Sequence, residues 1–477
     1  MDFLSVDNGI RDESGRAFFL RGVNIGGWLT MEHFLTGHPG SESSLRRVMA
    51  QRLGVEKASF FFERFLHHFF GEDDVLFLRR QGVTAIRLPL NFRHFESDDA
   101  PFAYLEGGFQ RLDALLDICE RHGLYVILDL HAVQGWQNGD WHCDNSSRHA
   151  LFWWQRDSQD RFVALWQEMA RRYRDRAVVA AYNLVNEPLS NAPYGRFAPD
   201  AEYQPAWDRF NAIYARTVQA IRAIDTRHII VLEGDYYSTL FTGMELLPDA
   251  QIMVSNHNYI EPAIAPIAEF PIELDGTRWD PALIEEQFVT SQGYRYAQSH
   301  NVPLLVGEFG LSMDYPAPNV PVKVAVLREQ LACYNRLGVH WTFWTYKGLG
   351  SMAWIQTAAT SSYVQRIAPV LRAKADLGVD FGWLGGFGEP VQTHMQGLSD
   401  AVLRHLPKLN AQTNFRYLAQ AAMSAYTADQ LQNLYAEQFI DATETEIDAM
   451  LSCFALRNCV ERVEMSAVIQ ESAAETP

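Results

Sequence analysis

Eight short, almost uninterrupted apolar runs, each followed by a stretch of helical periodicity, constrain this chain more than any other feature. The runs are Phe18–Val23, Val83–Leu88, Leu124–Leu130, Val179–Val185, His228–Leu232, Ile252–Ser255, Pro303–Val306 and Val339–Trp344. A strand that is apolar on both faces belongs to a sheet covered on both faces, and strands separated by helices run parallel. In Phe109–His122 the residues Leu112, Leu115, Leu116 and Cys119 fall on one helical face, and Gly123 ends the helix. Ala58–Phe70, Asp73–Gln81, Asp160–Tyr173, Ala206–Ile224, Pro281–His300 and Val322–Leu337 alternate with the strands in the same way. Eight such units over roughly 350 residues predict an α/β fold, a (β/α)₈ TIM barrel.

Two strand-like runs separated by Asp12-Glu13-Ser14-Gly15 predict a short N-terminal hairpin before the first barrel strand. Hairpin and barrel together span residues 1–375, with Ser361–Leu371 as the closing helix. A Gly-rich link, Gly382-Trp383-Leu384-Gly385-Gly386-Phe387-Gly388, falls within a C-terminal helical extension, residues 376–462. Helices are expected there at Gln392–Leu406, Phe415–Leu434 and Thr443–Leu456; they carry no chemical motif and read as a brace packed on the barrel. Residues 463–477 read as a disordered acidic tail.

Composition narrows the range of partners. With 477 residues, 48% of them apolar, the chain can bury a large core. A formal charge of −18 disfavours nucleic acid and anionic membrane surfaces, which need clustered Lys and Arg. No run approaches the ~18 apolar residues that span a bilayer, so membrane insertion is not expected. The start, Met1-Asp2-Phe3-Leu4-Ser5-Val6-Asp7, has neither a basic nor an apolar leader segment. It therefore suggests a cytoplasmic location, or secretion if a leader has been removed. Cys119, Cys143, Cys333, Cys453 and Cys459 are odd in number and lack metal-ligand spacing, so reduced thiols are expected and neither a metal nor a cofactor is implied. Nothing in the sequence specifies an oligomeric state.

The C-terminal ends of the strands form the active-site face of such a barrel. That face collects Asn24 and Trp28, Arg87, His131, Asn186 and Glu187, Glu233-Gly234-Asp235, His257 and Tyr259, Glu308, and Trp344. Glu187, in Val185-Asn186-Glu187-Pro188, and Glu308, in Val306-Gly307-Glu308-Phe309-Gly310, each end a buried run, where a carboxylate is costly without partners. Singly, each of these residues has a structural explanation, as a salt-bridge partner, a satisfied histidine or a core tryptophan. Independent structural roles would not gather at one set of strand ends. Glycoside hydrolysis needs such a set: one carboxylic acid protonates the leaving oxygen, and a second carboxylate attacks the anomeric carbon or activates water.

These motifs resemble glycoside hydrolase family 5, (β/α)₈ retaining glycosidases, over about Phe18 to Leu371. The resemblance implies Glu187 as acid/base, Glu308 as nucleophile and Asn186 as a partner of the sugar 2-hydroxyl. It also implies that Arg87 and Tyr259 hold Glu308 ionised, that His257 lies beside Glu187, that His131 lines the subsite floor, and that Trp344 forms a sugar platform followed by a cis peptide. Gly26-Gly27-Trp28-Leu29-Thr30-Met31-Glu32 is similar to a segment of the family's exo-β-1,3-glucanases in which a glutamate binds the terminal sugar, which implicates Glu32 and Trp28. Gln137-Asn138-Gly139 followed by Asp144-Asn145-Ser146 is similar to a substrate loop of that group, which implicates Asn138, Asp144 and Asn145, although Asp140-Trp141-His142-Cys143 is interposed here. Trp136, Trp141, Trp153, Trp154, Trp279 and Trp354 are further aromatics that either stack on sugars or pack loops. The expected activity is retaining, exo-type hydrolysis of β-glucosides or β-glucan oligosaccharides, with a carbohydrate as partner. A β-mannoside or a lipid-linked glucoside is the alternative on the same mechanism, and a non-catalytic carbohydrate-binding barrel is the alternative of another class.

Overall fold

The computed structural model describes residues 1–191, 203–313, 319–379 and 389–475; the Gly-rich link at 382–388 lies outside the described residues. Eight parallel strands close into a barrel in chain order: β1 (Arg21–Asn24), β2 (Ala85–Asn91), β3 (Tyr125–Ala132), β4 (Val179–Asn183), β5 (Ile229–Glu233), β6 (Ile252–His257), β7 (Leu304–Glu308) and β8 (His340–Phe343). Every residue of these strands is buried, as the uninterrupted apolar runs predict for a sheet covered by helices. The first strand starts later than expected, at Arg21 rather than Phe18.

The hairpin differs in detail. Ser5–Val6 pairs with Ile10–Arg11, and the chain turns at Asp7-Asn8-Gly9, where Asn8 and Gly9 have φ of 48° and 109°. Asp12–Gly15 makes a second turn, closed by a bridge between Arg11 and Ala17. Asn-Gly is the stronger hairpin signal because both positions accept positive φ. Leu4 and Ile10 from this hairpin join Leu20, Ala85, Ile127, Ala181, Ile229, Met253 and Leu305 in an apolar cluster, so the hairpin seals the barrel at the end opposite the candidate site.

The two helices expected before β2 are Val55–Phe69 and Glu72–Arg80, and a further one, Glu42–Leu53, precedes them; Gly54, at φ 85°, separates it from Val55–Phe69. The helix expected over Pro281–His300 is likewise two, Pro281–Thr290 and Gln292–His300, because Ser291 is extended and caps Tyr294. Among the described residues no helix is long and apolar enough to cross a membrane, and all five cysteines are free.

The C-terminal helices are anchored to the barrel by buried polar contacts. Directly after β8, Lys347 Nζ donates to Asp74 Oδ1 (2.5 Å), Phe69 O (2.7 Å) and Phe454 O (2.9 Å), joining three separate parts of the chain at one buried ammonium. Ile355–Thr357 pairs antiparallel with Cys459–Glu461, and Trp354 Nε1 donates to Ser466 Oγ (2.9 Å). Ala428–Glu437 packs on Glu42–Leu53, and Glu444–Leu451 packs on Val55–Phe69.

The expectation of a disordered tail is overturned: Val463–Ala474 is a helix that packs on Val320–Arg336. Its acidic residues had suggested a solvated segment, but Met465, Val468 and Ile469 recur at helical spacing and are buried. Replacing Ile469 by Ala should therefore cost about 2–4 kcal/mol of stability, read as a lower urea midpoint at unchanged slope. A truly disordered tail would leave the midpoint where it was.

Candidate active site

The barrel register brings one layer of polar residues to the C-terminal end of the strands. Asn24 pairs with Arg87, Asp129 with Asn183, Ser255 with Glu233, and His257 with Glu308. At the centre is Arg87, which is fully buried. Its Nη1 donates to Glu308 Oε1 and Asn24 Oδ1 (both 2.9 Å), and its Nε donates to Asn183 Oδ1 (2.9 Å). Its Nη2 donates to Asn186 Oδ1 (2.7 Å) and Glu233 Oε1 (2.9 Å) and lies 3.1 Å from Asp129 Oδ2. Only a planar guanidinium offers this many donors in one fixed fork.

Glu308, at the end of β7, accepts from Arg87 on one oxygen and from Tyr259 Oη on the other (3.0 Å). Gly307 beside it is required sterically: a Cβ there would lie 2.4 Å from Ser255 Oγ and 3.2 Å from His257 Nε2. Glu187 has a left-handed backbone, φ 46°, which is costly for a residue with a side chain and persists only where neighbours hold it. Its N–H donates to Glu233 Oε2 (2.8 Å), and its carbonyl accepts from Asn138 Nδ2 (2.9 Å). Its carboxyl Oε1 lies 2.7 Å from His257 Nδ1, and Oε2 lies 3.2 Å from His142 Nε2.

Charge is unevenly distributed. Burial pushes His257 down, but Glu308, Glu233 and Glu187 around it raise it well above 6.5, so the imidazole is a cation shared by three carboxylates. Burial pushes Glu187 up, and the hydrogen bond and charge of His257 outweigh it, leaving Glu187 below its ordinary value. Burial raises Glu308, with Glu187 adding to it while His257, Arg87 and His131 oppose it. Glu233 is held down at about 2, because His257 and Arg87 overcome its burial. Burial raises Asp129 to about 8 despite Arg87.

A pocket of about 210 Å³ opens over the two glutamates. Trp344 and His131 form one wall, their rings stacked at 5.4 Å and 10°. The Trp344–Thr345 peptide is cis, and Gly26 lies against the indole, where a Cβ would approach to 2.8 Å. Glu32, Phe34, Asp140, Trp141, His142 and Tyr237 complete the lining. Burial, then Glu308 and Glu187, raise Glu32 well above 4.5, against a hydrogen bond with Trp141. His131 is pushed down to about 4 by burial and bonds Asp129 Oδ2 through Nδ1 (2.7 Å). Glu187, His257 and Glu308 bring one potential metal-ligand atom each within 4.8 Å of the others, but Arg87 and Tyr259 already donate to Glu308 and would compete with a cation there.

The structure thus gathers Glu187, Glu308, Glu32, Arg87, His131, Asn186, His257, Tyr259 and Trp344. It sets four of the residues expected to bind substrate behind the pocket wall. Trp28 Nε1 donates to Leu66 O (2.8 Å) in the core. Asp144 accepts from Ser43 N (2.7 Å), Arg93 Nε (3.0 Å) and Asn91 Nδ2 (3.1 Å). Asn145 holds its own loop through Asn138 O (2.8 Å), and Asn138 acts on Glu187 and His142 rather than lining the cavity. The interposed Asp140, Trp141 and His142 line the pocket in their place. Of the six extra tryptophans only Trp141 lines the pocket; Trp153, Trp279 and Trp354 are core, Trp136 bonds Asp144 O, and Trp154 stacks under Arg209. The sequence reading missed Asp129, Asn183 and Glu233 as partners of Arg87, although Glu233 stood in plain view at a strand end.

Replacing Arg87 by Met should cost about 3–5 kcal/mol, because buried carboxylates lose their counter-ion. Glu233 contributes stability above pH 4.5 and loses it as pH falls toward about 2, so the gap between wild type and variant in denaturation curves should narrow over that window.

Residues 61–350 match the family described as Cellulase (glycosyl hydrolase family 5). The chain is 31% identical to a beta-xylosidase of Phanerodontia chrysosporium over 501 residues, covering 99% of each protein. It is 26% identical over 366 residues to a probable glucan 1,3-beta-glucosidase A of Aspergillus fumigatus, covering 70% of this chain and 84% of that one. Among solved structures, an endogalactoceramidase superposes with a TM-score of 0.52 at 18% identity, over 73% of this chain and 75% of that chain, a likeness of fold.

Proposed function

Because the chain belongs to glycosyl hydrolase family 5 and is an O-glycosyl hydrolase, we propose that it cleaves β-glycosides with retention, removing one β-glucosyl unit from the non-reducing end of a glucoside or short glucan. The observation that carries this reading is the short gap between carboxylates: oxygens of Glu187 and Glu308 lie within 4.8 Å of each other. A retaining pair sits ~5–5.5 Å apart, whereas an inverting pair needs ~6.5–9.5 Å to admit a water between acid and sugar. Glu308, gripped by Arg87 and Tyr259, attacks the anomeric carbon as Glu187 protonates the departing oxygen. Glu187 then takes a proton from the water that releases the sugar. His257, 2.7 Å from Glu187 and carrying a proton, can supply Glu187 with the proton it needs as an acid. Glu32, together with His131 and Trp344, faces the glycone, and Trp141 and Tyr237 in the lining favour a blocked, exo-type pocket.

A β-xyloside is the second reading, favoured by the full-length similarity to a beta-xylosidase. The ratio of kcat/KM on nitrophenyl β-glucoside and β-xyloside decides between the two. Early products decide exo action: monosaccharide alone supports it, and a ladder of oligosaccharides overturns it.

Glu308→Ala should lose on the order of 10⁴-fold in kcat while keeping its unfolding midpoint, and near-wild-type turnover would remove Glu308 from the nucleophile role. Proton NMR of the first-formed sugar should show the β-anomer. Because Glu308 is raised, the acid limb of kcat/KM should lie above pH 4.5. Tyr259→Phe, which deletes a donor to the ionised form, should move that limb to still higher pH.

A further inference from the structure

The segment Asp140–Cys143, which interrupts the sequence pattern of the substrate loop, brings His142 against the side of Glu187 away from His257. Its Nε2 lies 3.2 Å from Glu187 Oε2 and 2.8 Å from Asn138 Nδ2. The orientation of the Asn138 amide is determined by its other contacts: Oδ1 accepts from Asp140 N (2.9 Å) and Cys143 Sγ (3.1 Å), and Nδ2 donates to Glu187 O (2.9 Å). Reversing the amide would set donor against donor at Asp140 N and Cys143 Sγ and acceptor against acceptor at Glu187 O. The Asn138 nitrogen therefore donates to His142, and His142 Nε2 is an acceptor with no proton of its own. Burial favours the same neutral state, against Glu187 and Asp140, which would favour the cation.

An unprotonated nitrogen 3.2 Å from a carboxyl oxygen is attractive only if that oxygen carries a hydrogen, which then shares the Nε2 lone pair with the Asn138 N–H as the longer arm of a forked contact. On the other side, His257 is a donor facing Oε1. A carboxyl with a donor on one oxygen and an acceptor on the other is matched as the neutral acid, its carbonyl toward His257 and its hydroxyl toward His142. We propose that His142 is a positioning residue: when Glu187 takes up the proton it delivers as an acid, His142 fixes that proton on Oε2. The proposal rests on the reading of Glu187 as acid/base. In the first step that proton passes to the glycosidic oxygen as the C1–O bond breaks, the bond electrons stay with the departing oxygen, and a Glu308 oxygen forms the new bond to C1. Of the other charged groups facing Glu187, Glu308 and Glu233 favour its neutral form and the His257 cation favours the anion; His131 and Asp140 complete the surroundings of His142.

The test uses the full chain and two leaving groups on whichever glycone the wild type cleaves. A dinitrophenol departs without protonation, whereas an alkyl alcohol needs the acid. His142→Phe should lower kcat/KM about 30-fold or more on the alkyl glycoside and less than about 3-fold on the dinitrophenyl glycoside, a share of the ~10²–10⁴-fold a general acid supplies. The alkaline limb of its pH profile should move to lower pH. His142→Gln, whose side-chain oxygen can accept, should recover most of the loss. Equal losses on both leaving groups with an unmoved alkaline limb overturn the proposal and make His142 a packing residue. Nitrogen-15 spectra of histidine-labelled wild type, assigned by difference with His142→Gln, should show the Nδ1–H tautomer; a protonated Nε2 overturns the proposal even if His142→Phe does not fold. A wild type that releases the inverted anomer instead overturns the retaining reading, and this proposal with it.

Discussion

One buried guanidinium organises the working end of this barrel. Arg87 reaches side chains from five other strand ends, and every one of its donors is used. Taking such a charge out of water is expensive, and only near-complete coordination offsets the cost. That requirement fixes the rest: Asn24 and Asn183 must present carbonyl oxygens, Glu233 and Glu308 must present carboxylates, and the strands must keep the register that lets them. Glu233 in turn accepts the Glu187 N–H, so the strained backbone of one glutamate is held through the salt bridge that orients the other.

The same cluster distinguishes the two central carboxyls. Glu308 faces donors, Arg87 and Tyr259, and is matched as an anion. Glu187 lies between two imidazoles in opposite roles, a cationic donor at 2.7 Å and a nitrogen acceptor at 3.2 Å. Burial acts on both glutamates alike; the polarity of their neighbours separates them. Around this centre, among the described residues, the C-terminal helices contribute no group to the pocket. They cover the barrel's outer helices, and Lys347 ties them to Asp74 directly behind the strand that leads to Trp344.

Much of this was legible from residue order. The eight apolar runs became the eight strands, because a sheet covered on both faces tolerates few polar positions, and those it holds stand out at the strand ends. Arg87, Glu187, His257 and Glu308 were conspicuous for that reason. The errors arose where sequence periodicity is weak or ambiguous. Asn8-Gly9 competed with Asp12–Gly15 as a turn, and Ser291 divided a continuous helical pattern. The acidic composition of the last residues masked the buried stripe of Met465, Val468 and Ile469.

The sequence by itself determined the barrel, the face that carries the chemistry and the pair of glutamates at its centre, since each follows from local hydrophobic period and strand ends. Only the tertiary structure decided which polar residues meet. Asp144 and Asn145, inside a recognisable motif, became loop braces, while Trp141 and His142, inside an interruption of it, reached the pocket. Loop residues have no period to reveal their direction; their placement depends on contacts with Ser43, Arg93 and Asn91, which are distant in the chain.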